Sequence, residues 1–195
     1  MARWQERDWL DGHYELFMQF EDGWDWVEAA QALWSLPQVT GVWTEREFDP
    51  EADPALDPFD ILVTTELLTK HLYGVAHLPG GKNAPCGCAV NQERNWFIFF
   101  LPIAGLGRCY EAGVYPFRDT RRLWTHEVDE WLAGLGQAVY GKVPFRVAAI
   151  GFEAFTLEML EEPDPGMLKK RDCGVMLPFG NELLWLPRTG AGERV

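Results

Sequence analysis

Pro85-Cys86-Gly87-Cys88 sets two thiols two residues apart, with His71 and His77 upstream on what reads as the neighbouring strand. Alternate residues of a strand share one face, so Cys86, Cys88, His77 and one further ligand could offer zinc the sulfur and imidazole donors it prefers. The spacing is not the usual one. Structural zinc favours two to four residues between its cysteines, and the Pro-Cys-x-x-Cys of zinc deaminases is missed by one residue, while Leu78-Pro79 after His77 removes their His-x-Glu. Buried, inert thiols in a strand account for the same residues, and no metal or other cofactor is expected. A Cys/His nucleophile pair could draw on any of the four histidines, since such partners meet in space and not in sequence, and nothing local singles one out.

The most distinctive run is Glu45-Arg46-Glu47-Phe48-Asp49-Pro50-Glu51-Ala52-Asp53-Pro54-Ala55-Leu56-Asp57-Pro58-Phe59-Asp60, with seven acids and one arginine. Asp-Pro recurs every four residues in it, and Asp followed by Pro is a favoured start of a type I turn. This predicts a stiff acidic loop, with Phe48, Leu56 and Phe59 as apolar anchors, that docks a basic partner through Glu45, Glu47, Asp49, Glu51, Asp53 and Asp57. A solvated connection between two strands would use the same residues. Calcium is a poorer account, because the Asp-x-Asp-x-Asp-Gly spacing and its closing Glu are missing.

Other chemistries fail on their motifs. Ser35 is the only serine and has no Gly-x-Ser-x-Gly turn around it, which excludes a serine hydrolase of that kind. Gly105-Leu106-Gly107 and Gly134-Leu135-Gly136 do not complete Gly-x-Gly-x-x-Gly, and Gly81-Lys82-Asn83 lacks the rest of a P-loop. Seventeen basic against thirty acidic residues leave a formal charge of −13, a surface that repels polyanions, so no nucleic acid partner is expected. The longest apolar stretch, Trp96 to Gly107, carries Pro102 and Gly105 and is too short for a bilayer, so no membrane partner is expected either. The opening Met1-Ala2-Arg3-Trp4-Gln5-Glu6-Arg7-Asp8 carries acids where a secretory leader would be apolar, which predicts a cytoplasmic protein with reduced thiols.

The elements that must hold these residues can be read from periodicity. An extended stretch from Tyr14 to Phe20 precedes a helix in which Trp26, Val27, Ala30, Leu33 and Trp34 form one apolar face. Asp22 or Asp25 can cap that helix, Pro37 stops it, and a strand follows from Val39 to about Arg46. Ile61–Thr65, His71–Leu78, Cys86–Val90 and Trp96–Leu101 read as a meander. A second helix lies between Thr125, its natural N-cap, and Tyr140, followed by a strand from Phe145 to Phe152. Gly174–Leu177 and Glu182–Trp185 flank a turn as a terminal hairpin, and the Gly-rich tail from Arg188 should fray.

The expected fold is therefore α+β: an antiparallel or mixed sheet of about seven to nine strands, covered by two main amphipathic helices, in one domain over residues 1–195. Two related strand-helix-strand halves would give this pattern, and two helices on one sheet would give it without duplication. Of the ten tryptophans, Trp26, Trp34, Trp131, Trp96 and Trp185 fall on apolar faces, whereas Trp4, Trp9, Trp24, Trp43 and Trp124 follow no pattern. Unpatterned Trp among acids can supply interface anchors or line a sugar cleft with paired carboxylates.

Two function classes follow. The first is a non-catalytic cytosolic protein that binds a basic protein through an acidic, aromatic surface, as an inhibitor or neutraliser. In composition it resembles bacterial toxin-neutralising immunity proteins, which are often small, acidic and cytosolic. The second is an enzyme or small-ligand protein using a Cys/His metal site or a Trp/carboxylate cleft.

Overall fold

The computed structural model describes residues 3–57, 71–91, 94–110, 123–152, 173–180 and 182–189. A 3-10 turn at Glu6–Trp9 leads into β1 (His13–Gln19), helix α1 (Trp26–Trp34) and β2 (Val39–Trp43). Then come β3 (Leu72–Leu78), β4 (Lys82–Asn91), β5 (Trp96–Pro102) and the short helix α2 (Ile103–Leu106). The long helix α3 (Leu123–Tyr140) precedes β6 (Val147–Phe152), β7 (Gly174–Phe179) and β8 (Glu182–Leu186). The fold is α+β, and its eight strands form one sheet in the order β2-β3-β4-β5-β1-β6-β7-β8, antiparallel at every neighbouring pair.

The period of two along each strand sorts residues between two faces. In register across the sheet, Leu72, Cys88, Phe99, Leu16 and Ile150 make one row on the helix-covered face. Helices α1 and α3 lie on that face, where Ala29, Ala30, Leu33, Val128, Leu132, Leu135 and Val139 join Leu16, Met18, Phe97 and Phe99 in one core. Each fully buried large side chain there contributes about 1.5–3 kcal/mol. Packing leaves no room for a side chain at Gly74, where a Cβ would come within 2.5 Å of the Trp34 ring.

Asp25 caps α1, its Oδ1 accepting from the amides of Val27 at 2.9 Å and Glu28 at 3.1 Å. Thr125 does not cap α3, which begins at Leu123 because Leu123-Trp124 contains no helix breaker and the backbone runs on through them. Strand β2 stops at Trp43, short of Arg46, where the acidic run turns away from the sheet. The expected strand Ile61–Thr65 lies outside the described residues.

The topology separates the two strand-helix-strand units. Through α1 the chain passes from β1 to β2 over three intervening strands, whereas through α3 it passes from β5 to β6 over β1 alone. The two crossings therefore have different geometry, as expected of two helices laid on one sheet.

Of the Gly-rich tail only Arg188 and Thr189 are among the described residues, and Arg188 is held in place. Its Nε and Nη2 donate to Asp129 Oδ2 and Oδ1 at 2.7 and 2.8 Å, and Tyr14 Oη donates to the same Oδ1 at 2.6 Å. Arg188 Nη2 also bonds the Tyr14 oxygen. Burial, with Asp129 beside it, raises the Tyr14 phenol well above its ordinary range, which keeps it a neutral donor. A bidentate arginine on a buried carboxylate holds the chain at this one position.

Candidate binding surface

The acidic run begins where β2 ends, and it is built around one ring. Phe48 is 1% exposed and stacks on Trp43, with centroids 4.1 Å apart and planes 10° apart. Around them Trp4, Trp9, Val75 and Phe100 complete a second core on the sheet face opposite the helices. Trp4 N donates to Phe48 O at 2.8 Å, which ties the N-terminal segment to the loop. Arg108 clamps the same segment from the turn that follows α2: its Nη2 bonds Asp8 at 2.5 Å, and its guanidinium lies 4.9 Å from the Trp4 ring centre.

From that anchor the loop makes a turn of its own. The amides of Ala52 and Asp53 donate to Asp49 O, at 3.1 and 2.8 Å. Asp49 Oδ1 accepts from Glu51 N at 3.0 Å, and Asp53 Oδ2 from Asp49 N at 2.7 Å. The first Asp-Pro step thus starts a turn as expected. The second does not: past Pro54 the chain returns to the sheet, where Leu56 N donates to Val42 O at 2.8 Å. The third, Asp57-Pro58, and the predicted anchor Phe59 run into residues outside those described.

Glu45, Glu47, Glu51, Asp53 and Asp57 are exposed, with Asp49 half-buried. The structure therefore brings the six predicted acids onto one ordered segment while giving them different work. Asp49 and Asp53 hold the turn, and Glu45 and Glu47 flank Arg46 ahead of Phe48. Phe48, expected to anchor a partner, is instead 1% exposed and packed into the protein's own core, where no partner can reach it, and Leu56 is 44% exposed. Between the loop and the N-terminal segment lies an open cleft of about 390 Å³ walled by Arg3, Gln5, Glu6, Arg7 and Glu47.

Sequence reasoning missed the N-terminal segment as part of this surface. Its signal was Trp4 and Trp9 inside an otherwise polar stretch. At 3% and 6% exposure they are core residues, as is Trp43 at 8%, so none of the three lies open beside the acidic run. The indole N–H groups of Trp4 and Trp9 are buried with no acceptor among the described residues.

The proposed zinc ligands do not converge. Cys86 and Cys88 share the helix-covered face, as their spacing predicts, but His77, paired with Asn83, belongs to the other face. Its two ring nitrogens lie 2.7 Å from Thr40 Oγ1 and 2.6 Å from Asn83 Oδ1, so the imidazole is engaged on both sides. Burial pushes the Cys88 thiol up to about 12 and raises that of Cys86 well above its usual value, which disfavours thiolate at either position. Among the described residues no group of three His, Cys, Asp or Glu side chains is placed to hold a metal ion.

A smaller cluster lies on the face opposite the helices, where Tyr73, Gly87, Phe100 and Glu15 stand in register. The His13 ring packs 4.5 Å from that of Phe100, with Nδ1 3.9 Å from Glu15 Oε1, and the His71 ring lies 6.0 Å from Phe100. Burial lowers both histidines below their usual value, with His71 adding to the effect at His13 and Arg46 at His71. Both imidazoles are therefore neutral near pH 7, beside the base of the acidic loop.

No helix among the described residues is long and apolar enough to cross a membrane. Compared with known proteins, the chain matches no family model, no curated protein and no solved structure.

Proposed function

We propose that the chain is a non-catalytic, cytoplasmic binding protein that engages a basic protein partner through the acidic segment from Glu45 to Asp57, as an inhibitor or neutraliser. The observation that carries this reading is the ordering of that segment: Phe48 is buried on Trp43 beneath it, and the Asp49 turn stiffens it. A loop held in one shape loses less conformational entropy on binding than a free acidic tail would. Its charges lie at one end of a sheet in a molecule of net charge −13, so a basic partner is attracted at range and oriented on arrival. The aromatic residues act from below, by fixing the carboxylates, and the exposed apolar contribution comes from Leu56.

Capture from native lysate tests this, with wild type and a Glu45→Gln, Glu47→Gln variant as parallel baits and elution in steps of salt. A basic protein held by wild type, released by salt and depleted on the variant is the expected result. Recovery of the same proteins on both baits, or of none on either, would remove the acidic segment as the binding surface.

A further inference from the structure

The two ends of the sheet are finished differently. At the β2 end the register slips between Thr40 and Trp43, the Leu56 amide caps Val42 O, and the charged loop stands alongside. Irregular register and charge are devices by which sheets avoid pairing edge to edge. At the other end β8 pairs with β7 in continuous register from Val175↔Leu186 to Phe179↔Glu182, and among the described residues no strand lies along its outer side. Its sequence, Glu182-Leu183-Leu184-Trp185-Leu186, is apolar on both faces. Leu184 is 44% exposed, and Phe179, at the hairpin tip on the same sheet face, is 75% exposed.

We propose that β8 is a homodimer edge, pairing antiparallel with β8 of a second copy to make one continuous sheet of two chains. Charge selects this occupant. Glu182 is the one charged residue within β8, and Glu130, the carboxylate beside the strand, is held by Trp185 Nε1 at 2.8 Å, so little of the net charge of −13 lies on this edge. Antiparallel pairing sets the two Glu182 side chains at opposite ends of the seam, whereas parallel pairing would set Glu182 against Glu182. Every copy presents the same edge, and a twofold axis between the two β8 strands closes the assembly at two chains. The β2 ends, with their acidic segments, then lie farthest from the axis, at the two extremes of the joined sheet.

Sedimentation equilibrium of the full chain over a wide concentration range is the test, beside Leu184→Lys, which puts a charge at the centre of the edge. Wild type should sediment with the mass of two chains and the variant with that of one, at unchanged far-UV circular dichroism. Hydrogen exchange on wild type needs no variant: amides of residues 183–186 should gain protection as concentration carries the protein from monomer to dimer. Wild type that stays monomeric at all concentrations overturns the proposal, including the case in which β8 pairs with a strand of another protein. So does a dimer in which the β8 amides exchange as they do in the monomer.

Discussion

Phe48 lies flat on Trp43, 4.1 Å between ring centres, at the point where the chain leaves β2. The acidic segment is thereby part of the folded body. Replacing Phe48 with Ala should cost about 3–5 kcal/mol, the range for a large-to-small change in a packed core. Denaturant titration measures the loss, and Trp43 emission should shift to the red as water reaches the ring. A variant as stable as wild type would mean that the loop is not anchored there.

Asp129 and Arg188 should behave as a unit. With Asp129 1% exposed, Arg188→Met strands a buried carboxylate and should cost about 3–5 kcal/mol. Tyr14→Phe removes one hydrogen bond to a charged group and should cost about 1.5–3 kcal/mol. In a double-mutant cycle, Asp129→Asn with Arg188→Met should destabilise by less than the sum of the single changes. Additive losses would show that the contact carries no coupling.

Thiol chemistry separates the cysteines by depth. Cys86 and Cys88, at 0% and 2% exposure and with raised thiols, should resist alkylation of the native protein at pH 8. Cys109 and Cys173 are only partly covered and should be modified first, and all four should react in denaturant. Peptide mapping after timed alkylation reads the order. Early labelling of Cys86 would contradict the packing beneath α1 and α3.

The pH dependence follows from His13 and His71, both held below 6.5 in the folded state chiefly by burial. Below pH 6.5 the unfolded chain binds protons at these positions more readily than the folded one, so stability falls as pH drops through that value. Thermal melts from pH 7.5 to pH 5 should show a steeper decline for wild type than for a His13→Gln, His71→Gln variant. Equal slopes would mean that neither imidazole is protected from its proton.

Much of the architecture is legible in residue order because each signal is local. Asp25 before Trp26-Val27 marks a helix start, and the unbroken apolar run Leu16-Phe17-Met18 marks a strand with two buried faces. What could not be read is non-local. That β1 sits between β5 and β6 depends on pairings far apart in sequence, and so does the placement of His77 on the face away from Cys86. The role of Arg188 depends on a carboxylate 59 residues upstream. In the binding surface, the acids were visible as a run. The division between turn-holding Asp49 and Asp53 and the outward Glu45 and Glu47 required the hydrogen bonds.

Electrostatic docking of a basic protein on the Glu45–Asp57 segment is tested most directly by association kinetics. With the captured partner in hand, the association rate constant is followed against ionic strength for wild type and for Glu45→Gln, Glu47→Gln. The predicted result is a rate that falls steeply with salt for wild type, with a lower value and a flatter slope for the variant, at unchanged stability. Identical rates and slopes for the two proteins would contradict the account.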